Sequence, residues 1–214
     1  MNNKIIGLGC VGVLLLGVLI LVATGVGGYN KLVPARENLD RSWGNVQSAY
    51  QRRLDLIPNL VKTVEGAANF EKSTLTEVIN ARANATKVTV DMSHAPTDPA
   101  QLQQFQQAQQ QLSSGLSRLL AVSERYPELK ANQNFRDLQA QIEGTENRIN
   151  VARNDFNVAA QHYNTLRSTF PTVIIANFTG FQERPYFQSA AGADTAPSVN
   201  FGSFGASPTP APSH

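Results

Sequence analysis

Apolar and polar positions divide the chain into three stretches. Ile5 to Val26 is a run of 22 residues without a charge. Between Tyr29 and Phe170 apolar residues return every third or fourth position, and beyond Gln188 neither pattern persists. At ~1.5 Å per residue the first run makes a helix of about 33 Å, enough to cross a hydrocarbon core of about 30 Å. It predicts a membrane-spanning helix whose partner is the lipid bilayer, through residues 5–26. A cleaved signal peptide competes, because Ala23-Thr24-Gly25 resembles a small-residue cleavage site, but the run exceeds the roughly 7–15 residues of a signal h-region. Lipid attachment at Cys10 would need a longer apolar stretch than Ile5, Ile6 and Leu8 provide ahead of it. Gly7, Gly9, Gly12 and Gly17 allow two such helices to approach closely, which leaves self-association open.

The second stretch reads as helices. Phe135, Leu138, Ile142, Thr145, Ile149, Ala152, Phe156, Ala159, Tyr163, Leu166 and Phe170 alternate spacings of three and four, the pattern of a bundle helix with coiled-coil-like packing. A second stripe runs Leu102, Phe105, Gln109, Leu112, Leu116, Leu119, Ser123, Tyr126. Asp98-Pro99 opens it as cap and first-turn proline, and Pro127 closes it. The first soluble helix is expected to start near Pro34 and carries Leu39, Trp43, Val46, Tyr50, Leu54, Ile57, Val61 and Val64 inward. A break is expected around Gly66 to Asn69, with the helix resuming at Thr74 to Ala85. Val90 to Pro99 reads as a connector. The expected fold is all-α: an N-terminal transmembrane helix, residues 1–28, and a long antiparallel bundle of three to four helices, residues 29–187. Residues 188–214, rich in Ala, Gly, Ser and Pro, form a disordered tail. Phe178-Thr179-Gly180-Phe181 and Pro185-Tyr186-Phe187, too aromatic for a free linker, are expected to pack onto one end of the bundle.

Charge changes the picture little. With 18 basic and 16 acidic residues the net charge is +2, which argues against a nucleic-acid partner. Lys4 and the α-amino group on one flank of the apolar run face Lys31, Arg36 and Arg41 on the other, so the count leans toward a cytoplasmic domain without fixing its side. One cysteine excludes an intrachain disulfide and a Cys-x-x-Cys centre. His94, His162 and His214 have no partners at metal-ligand spacing, Glu143 and Glu146 lack the matching Glu-x-x-His of a di-metal bundle, and no phosphate loop or nucleophile elbow occurs. The reading is therefore of a non-enzyme without catalytic residues, cofactor or metal. Eight glutamines between Gln101 and Gln111 read as a solvated helix face, with a Gln-rich association surface as the sharper option.

Arg52 to Asn59 is the candidate surface for protein partners. Two consecutive four-residue steps, 46 to 50 to 54, locally unwind the stripe, and Pro58 follows in mid-helix, where it is expected to bend the chain. Arg52, Arg53, Asp55 and Asn59 are expected to stand exposed around that structural kink, with Leu54 and Ile57 anchoring it.

The run Tyr29-Asn30-Lys31-Leu32-Val33, Glu37, Trp43, the continuous Tyr50 to Val64 with its Leu56-Ile57-Pro58-Asn59-Leu60, then Glu71, Thr74-Leu75, Val78 and Ala81-Arg82-Ala83 resembles the LemA family. The likeness continues through Tyr163-Asn164, Phe170-Pro171, Phe178, Phe181, Pro185-Tyr186-Phe187 and Val199-Asn200-Phe201, so that it covers residues 1–201. It implies a single-pass protein of the bacterial inner membrane carrying a long antiparallel bundle, and it implies no activity. Members often occur near genes for membrane metalloproteases or other envelope proteins, an association with membrane-protein quality control. Relatives commonly have a histidine where this chain has Phe70, so no role for that histidine carries over. Two functions follow as expectations: an anchored scaffold or adaptor that binds envelope proteins, or a membrane sensor that holds a small ligand or peptide between its helices. For the sensor, Thr145, Gln109 and Ser123 should face one cavity.

Overall fold

The computed structural model describes residues 2–67, 70–91 and 94–188, and every regular element among them is a helix. Six helices follow in order: α1 (Asn2–Glu65), α2 (Lys72–Asp91), α3 (Pro99–Ser123), α4 (Pro127–Ala131), α5 (Gln133–Ser168) and α6 (Thr172–Thr179). Helices α1, α2, α3 and α5 form an up-down-up-down bundle. Low-numbered residues of α1 meet high-numbered residues of α5, as Trp43 does Phe156 and Arg52 does Gln141. Helix α2 runs antiparallel along α3 from Glu71–Arg125 just ahead of α2, through Glu77–Arg118, to Asn84–Gln111. Of the expected tail, 188–214, residues 189–214 lie outside the described residues, as do Ala68 and Asn69 in the expected break and Met92 and Ser93 in the expected connector.

Along most of their length the stripes read from the sequence are the buried faces; Leu138 and Leu166 are half-buried, and Phe170, expected to close the α5 stripe, lies beyond that helix and is 76% exposed. Leu39, Trp43, Val46, Tyr50, Leu54, Ile57, Val61 and Val64 are all buried, as are Phe135, Ile142, Thr145, Ile149, Ala152, Phe156, Ala159 and Tyr163 opposite them. Asp98 caps α3 through its carboxylate, which accepts from the Ala100 N–H at 2.9 Å, with Pro99 in the first turn. Asn132 does the same for α5, accepting from the N–H groups of Asn134 and Phe135. The five-residue α4 between them was not anticipated. It opens at Pro127, where the stripe had suggested only a stop.

Helix α1 corrects one boundary. It does not begin near Pro34 but runs unbroken for 64 residues, about 96 Å at the α-helical rise. Pro34 lies on the exposed side, while Leu32, Ala35 and Leu39 keep one buried face through it. A helical φ suits proline, and burial of that face outweighs the single hydrogen bond lost. The apolar segment and the bundle core thus share one helix.

Pro58 does not end α1 either. A residue there would normally donate to the Leu54 carbonyl, and proline has no N–H to give. Arg82 of α2 supplies the donor instead, its Nε standing 3.0 Å from the Leu54 oxygen. The proline therefore leaves an acceptor open on α1, and the neighbouring helix fills it.

The chain after α6 is extended and belongs to the core. Asn157 accepts from the Phe187 N–H at 2.8 Å and donates to the Phe187 carbonyl at 3.0 Å; Asn164 treats Arg184 in the same way at 3.0 and 2.8 Å. Seven residues of helix span about 10.5 Å and three of extended chain about 10 Å, so the two amides match the strap's repeat. Phe181 and Phe187 are buried, Phe187 against Trp43, Phe105 and Phe156. The expected docking holds for these two rings. Phe178 and Tyr186 are the exceptions, 91% and 41% exposed; Phe178 lies on the face of α6 away from the buried Thr172 and Ala176.

Candidate functional site

The hydrophobic core is split. One cluster gathers Leu32 to Tyr50 with Phe105, Ile149, Phe156 and Tyr163; the other gathers Leu54 to Val64 with Leu112, Leu116, Phe135 and Ile142. Between them lies a polar layer drawn from all four long helices and centred on Arg53.

The structure overturns the expectation that Arg53 is exposed: it is 1% exposed. Around it the buried face of α1 widens to include Arg53, Leu54, Leu56 and Ile57, since α2, α3 and α5 all pack there. The guanidinium donates to Ser113 Oγ at 2.8 Å and Gln109 Oε1 at 2.9 Å on α3, and pairs with Glu146 on α5. Gln109 donates onward to Thr89 of α2 at 3.1 Å, and Thr89 to the Ala85 carbonyl at 2.7 Å. The Tyr50 ring covers the guanidinium at 5.1 Å. A buried cation must be paired and hydrogen-bonded, and this one has both. Of the guanidinium nitrogens of Arg53, Nε is the one without a hydrogen-bond partner. Burial pushes the Tyr50 hydroxyl above its ordinary pKa, against the pull of Arg153 and Arg53.

The layer borders a cavity of about 470 Å³ between α1, α3 and α5, lined among others by Tyr50, Arg53, Gln109, Ser113, Glu146 and Arg153. Of the three polar stripe residues expected to share a pocket, Gln109 alone lines it. Thr145 and Ser123 are buried, but their hydroxyls donate back to the carbonyls of Ile142 and Leu120 on their own helices. Glu143 and Glu146 do not act as a pair: Glu143 accepts from Gln139, while Glu146 turns to Arg53. Among the described residues no group of three His, Cys, Asp or Glu is placed to hold a metal.

Arg52, Asp55 and Asn59 are exposed on α1, as expected. Asp55 accepts from Gln51 at 2.7 Å, and Arg52 reaches Gln141 at 3.4 Å. Arg52 also lines a groove of about 490 Å³ between α1 and α5, whose floor includes Ala49, Val151 and Ala152 and whose rim includes Arg148 and Asp155. The sequence reading missed this groove. Its signal was an exposed valine, Val151, on the polar side of the α5 stripe. The glutamine-rich stretch borders a wider groove of about 990 Å³ against α2, lined by Gln107, Gln110, Gln111, Asn80 and Asn84.

The shared helix α1, the Arg82–Leu54 hydrogen bond opened by Pro58 and the docked Pro185-Tyr186-Phe187 strap all involve residues of the resemblance noted above. The model of the LemA family matches residues 42–201. The chain belongs to the LemA family. It is similar to Magnetosome protein MamQ 2 of Paramagnetospirillum magneticum, 27% identical over 198 residues that cover 84% of this chain and 72% of the relative. It is likewise similar to Magnetosome protein MamQ of Magnetospirillum gryphiswaldense, 27% identical over 186 residues, 78% of this chain and 67% of that one. Protein LemA of Metamycoplasma hominis is 25% identical over 165 residues, 77% and 71% of the two chains. LemA membership and an α1 long and apolar enough to cross a membrane together point to a membrane-associated helical protein.

Proposed function

We propose that this LemA-family chain is a single-pass scaffold or adaptor of the bacterial inner membrane, anchored by the apolar start of α1, that binds other membrane or envelope proteins. The supporting observation is the unbroken α1: the helix that enters the bilayer also forms one wall of the α1–α5 groove, so a partner held there is held at a set height. An apolar floor with Arg52, Arg148 and Asp155 at its rim suits an amphipathic segment of mixed charge. A membrane metalloprotease is one partner class the family association suggests, and a second copy of the chain is another. To test this, wild type and a Val151→Asp, Arg52→Glu variant are isolated from native membranes after cross-linking. Loss of specific adducts in a variant that melts like wild type supports the adaptor; identical adducts reject the groove.

A second reading has its own support. The cavity beside Arg53, with its buried amide and guanidinium, suits a small polar ligand or peptide carboxylate, as a sensor between helices requires. A ligand there would raise the melting temperature of wild type and not of Gln109→Leu.

A further inference from the structure

The short helix α6 turns part of its apolar surface outward. No charged residue occurs between Ser168 and Gln182. Thr172 and Ala176 face inward, whereas Phe170, Ile174 and Phe178 are 76%, 56% and 91% exposed. Ile174 and Phe178 lie four residues apart on α6 and so fall on one side of it at helical spacing, and Phe170 stands exposed just ahead of the helix. Single exposed apolar residues are ordinary on a protein surface, but a contiguous aromatic and aliphatic stripe marks a contact surface.

Its position indicates which surface. A Cβ at Gly25 would stand 3.4 Å from Ile175 Cδ1, and one at Gly28 would stand 3.5 Å from Ile175 Cγ1 and 3.7 Å from Thr172 Cα. Helix α6 therefore rests against the last residues of the charge-free run and the first of the bundle, where the glycines admit it. Neighbouring Val22 and Val26 of α1 are also exposed, so the stripe continues the apolar surface of that segment. On the bundle side, Tyr29 meets the Phe181 ring at 5.9 Å, Arg36 lies 5.3 Å over it, and Arg167 donates to its carbonyl at 2.8 Å. Aromatic rings backed by long cationic side chains are the arrangement of a membrane–water boundary.

We propose that Phe170, Ile174 and Phe178 enter the headgroup–acyl boundary of the bilayer that holds α1, making α6 a second membrane contact. This rests on the reading of α1 as a membrane anchor. A lone spanning helix leaves the bundle free to spin about its axis; a second contact beside it fixes which way the α1–α5 groove faces.

The test uses the full chain with Cys10→Ser, reconstituted in phosphatidylcholine–phosphatidylglycerol vesicles with or without doxyl-labelled lipid. A single cysteine carrying an environment-sensitive dye is placed at Phe178, at Ile174, at Leu19 in the anchor, or at Val158, an exposed position of α5. Doxyl lipid should lower emission about twofold at 178, 174 and 19 and leave 158 unchanged. Quenching at 19 without quenching at 178 and 174 overturns the α6 contact and leaves the anchor standing. Quenching at 178 and 174 without 19 supports the α6 contact and overturns the anchor, and quenching at none of the three overturns both. An unquenched 178 that cross-links to a second copy assigns the stripe to a dimer and rejects the bilayer as its occupant.

Discussion

Removing Pro58 and Arg82 singly and together tests whether the proline exists to open an acceptor for α2. Leu54 is buried, so its carbonyl has no recourse to water when the Pro58 nitrogen cannot donate. The Arg82 Nε at 3.0 Å is the donor that the structure shows for it. A hydrogen bond from a charged donor contributes about 1.5–3 kcal/mol, and a stranded buried acceptor costs about 1–3 kcal/mol. Arg82→Met should therefore destabilise the native sequence by roughly 2 kcal/mol. In Pro58→Ala the new N–H closes the helical bond to Leu54, and Arg82→Met should then cost only about 0.5–1 kcal/mol of packing and solvation. The cycle predicts a coupling of about 1–1.5 kcal/mol between residues on different helices. The assay is denaturant unfolding of the full chain in detergent micelles, followed by fluorescence of Trp43, which is the sole tryptophan and 1% exposed. Additivity within about 0.5 kcal/mol would refute the compensation and reduce Pro58 to a tolerated defect.

The polar layer predicts that Arg53→Ala destabilises by about 3 kcal/mol, because Gln109, Ser113 and Glu146 lose a common partner, whereas exposed Arg52→Ala stays within about 0.5 kcal/mol; the same unfolding assay measures both. The strap predicts that Asn157→Ala with Asn164→Ala frees the buried Phe187 to chymotrypsin, raising cleavage there by roughly tenfold or more, as the first new fragment shows by mass. Alkaline titration should show Tyr50 and Tyr163 ionising above the ordinary 10, burial being the main cause for each. Because the folded state holds these protons longer than the unfolded chain, that stability is whole below about pH 10 and falls as pH rises beyond it; Tyr50→Phe should flatten the decline seen by circular dichroism.

Helical spacing revealed the bundle because a packed helix buries every third or fourth residue, and the stripes from Leu39 to Val64 and Phe135 to Tyr163 are the buried faces. The same spacing misplaced Arg53. An arginine beside a stripe residue looks solvated unless its partners are known, and those partners, Gln109, Ser113 and Glu146, lie 56 to 93 positions away. Pro34 suggested a boundary because proline disfavours helix interiors locally, yet burial on either side of it decides the outcome. Asn157 and Asn164 looked like polar surface; their role appears only once an extended segment with a matching repeat lies beside them. Phe178 looked like part of the docking segment, but it lies on the face of α6 away from the buried Thr172 and Ala176.

Photo-cross-linking from inside the groove tests the adaptor most directly. With p-benzoylphenylalanine at Val151, illumination of intact cells should yield discrete adducts of a membrane or envelope protein, and the same group at Val158, exposed elsewhere on α5 and absent from the groove lining, should not. Equal adduct patterns at both positions, or none at Val151 with the protein folded and membrane-bound, would contradict the account.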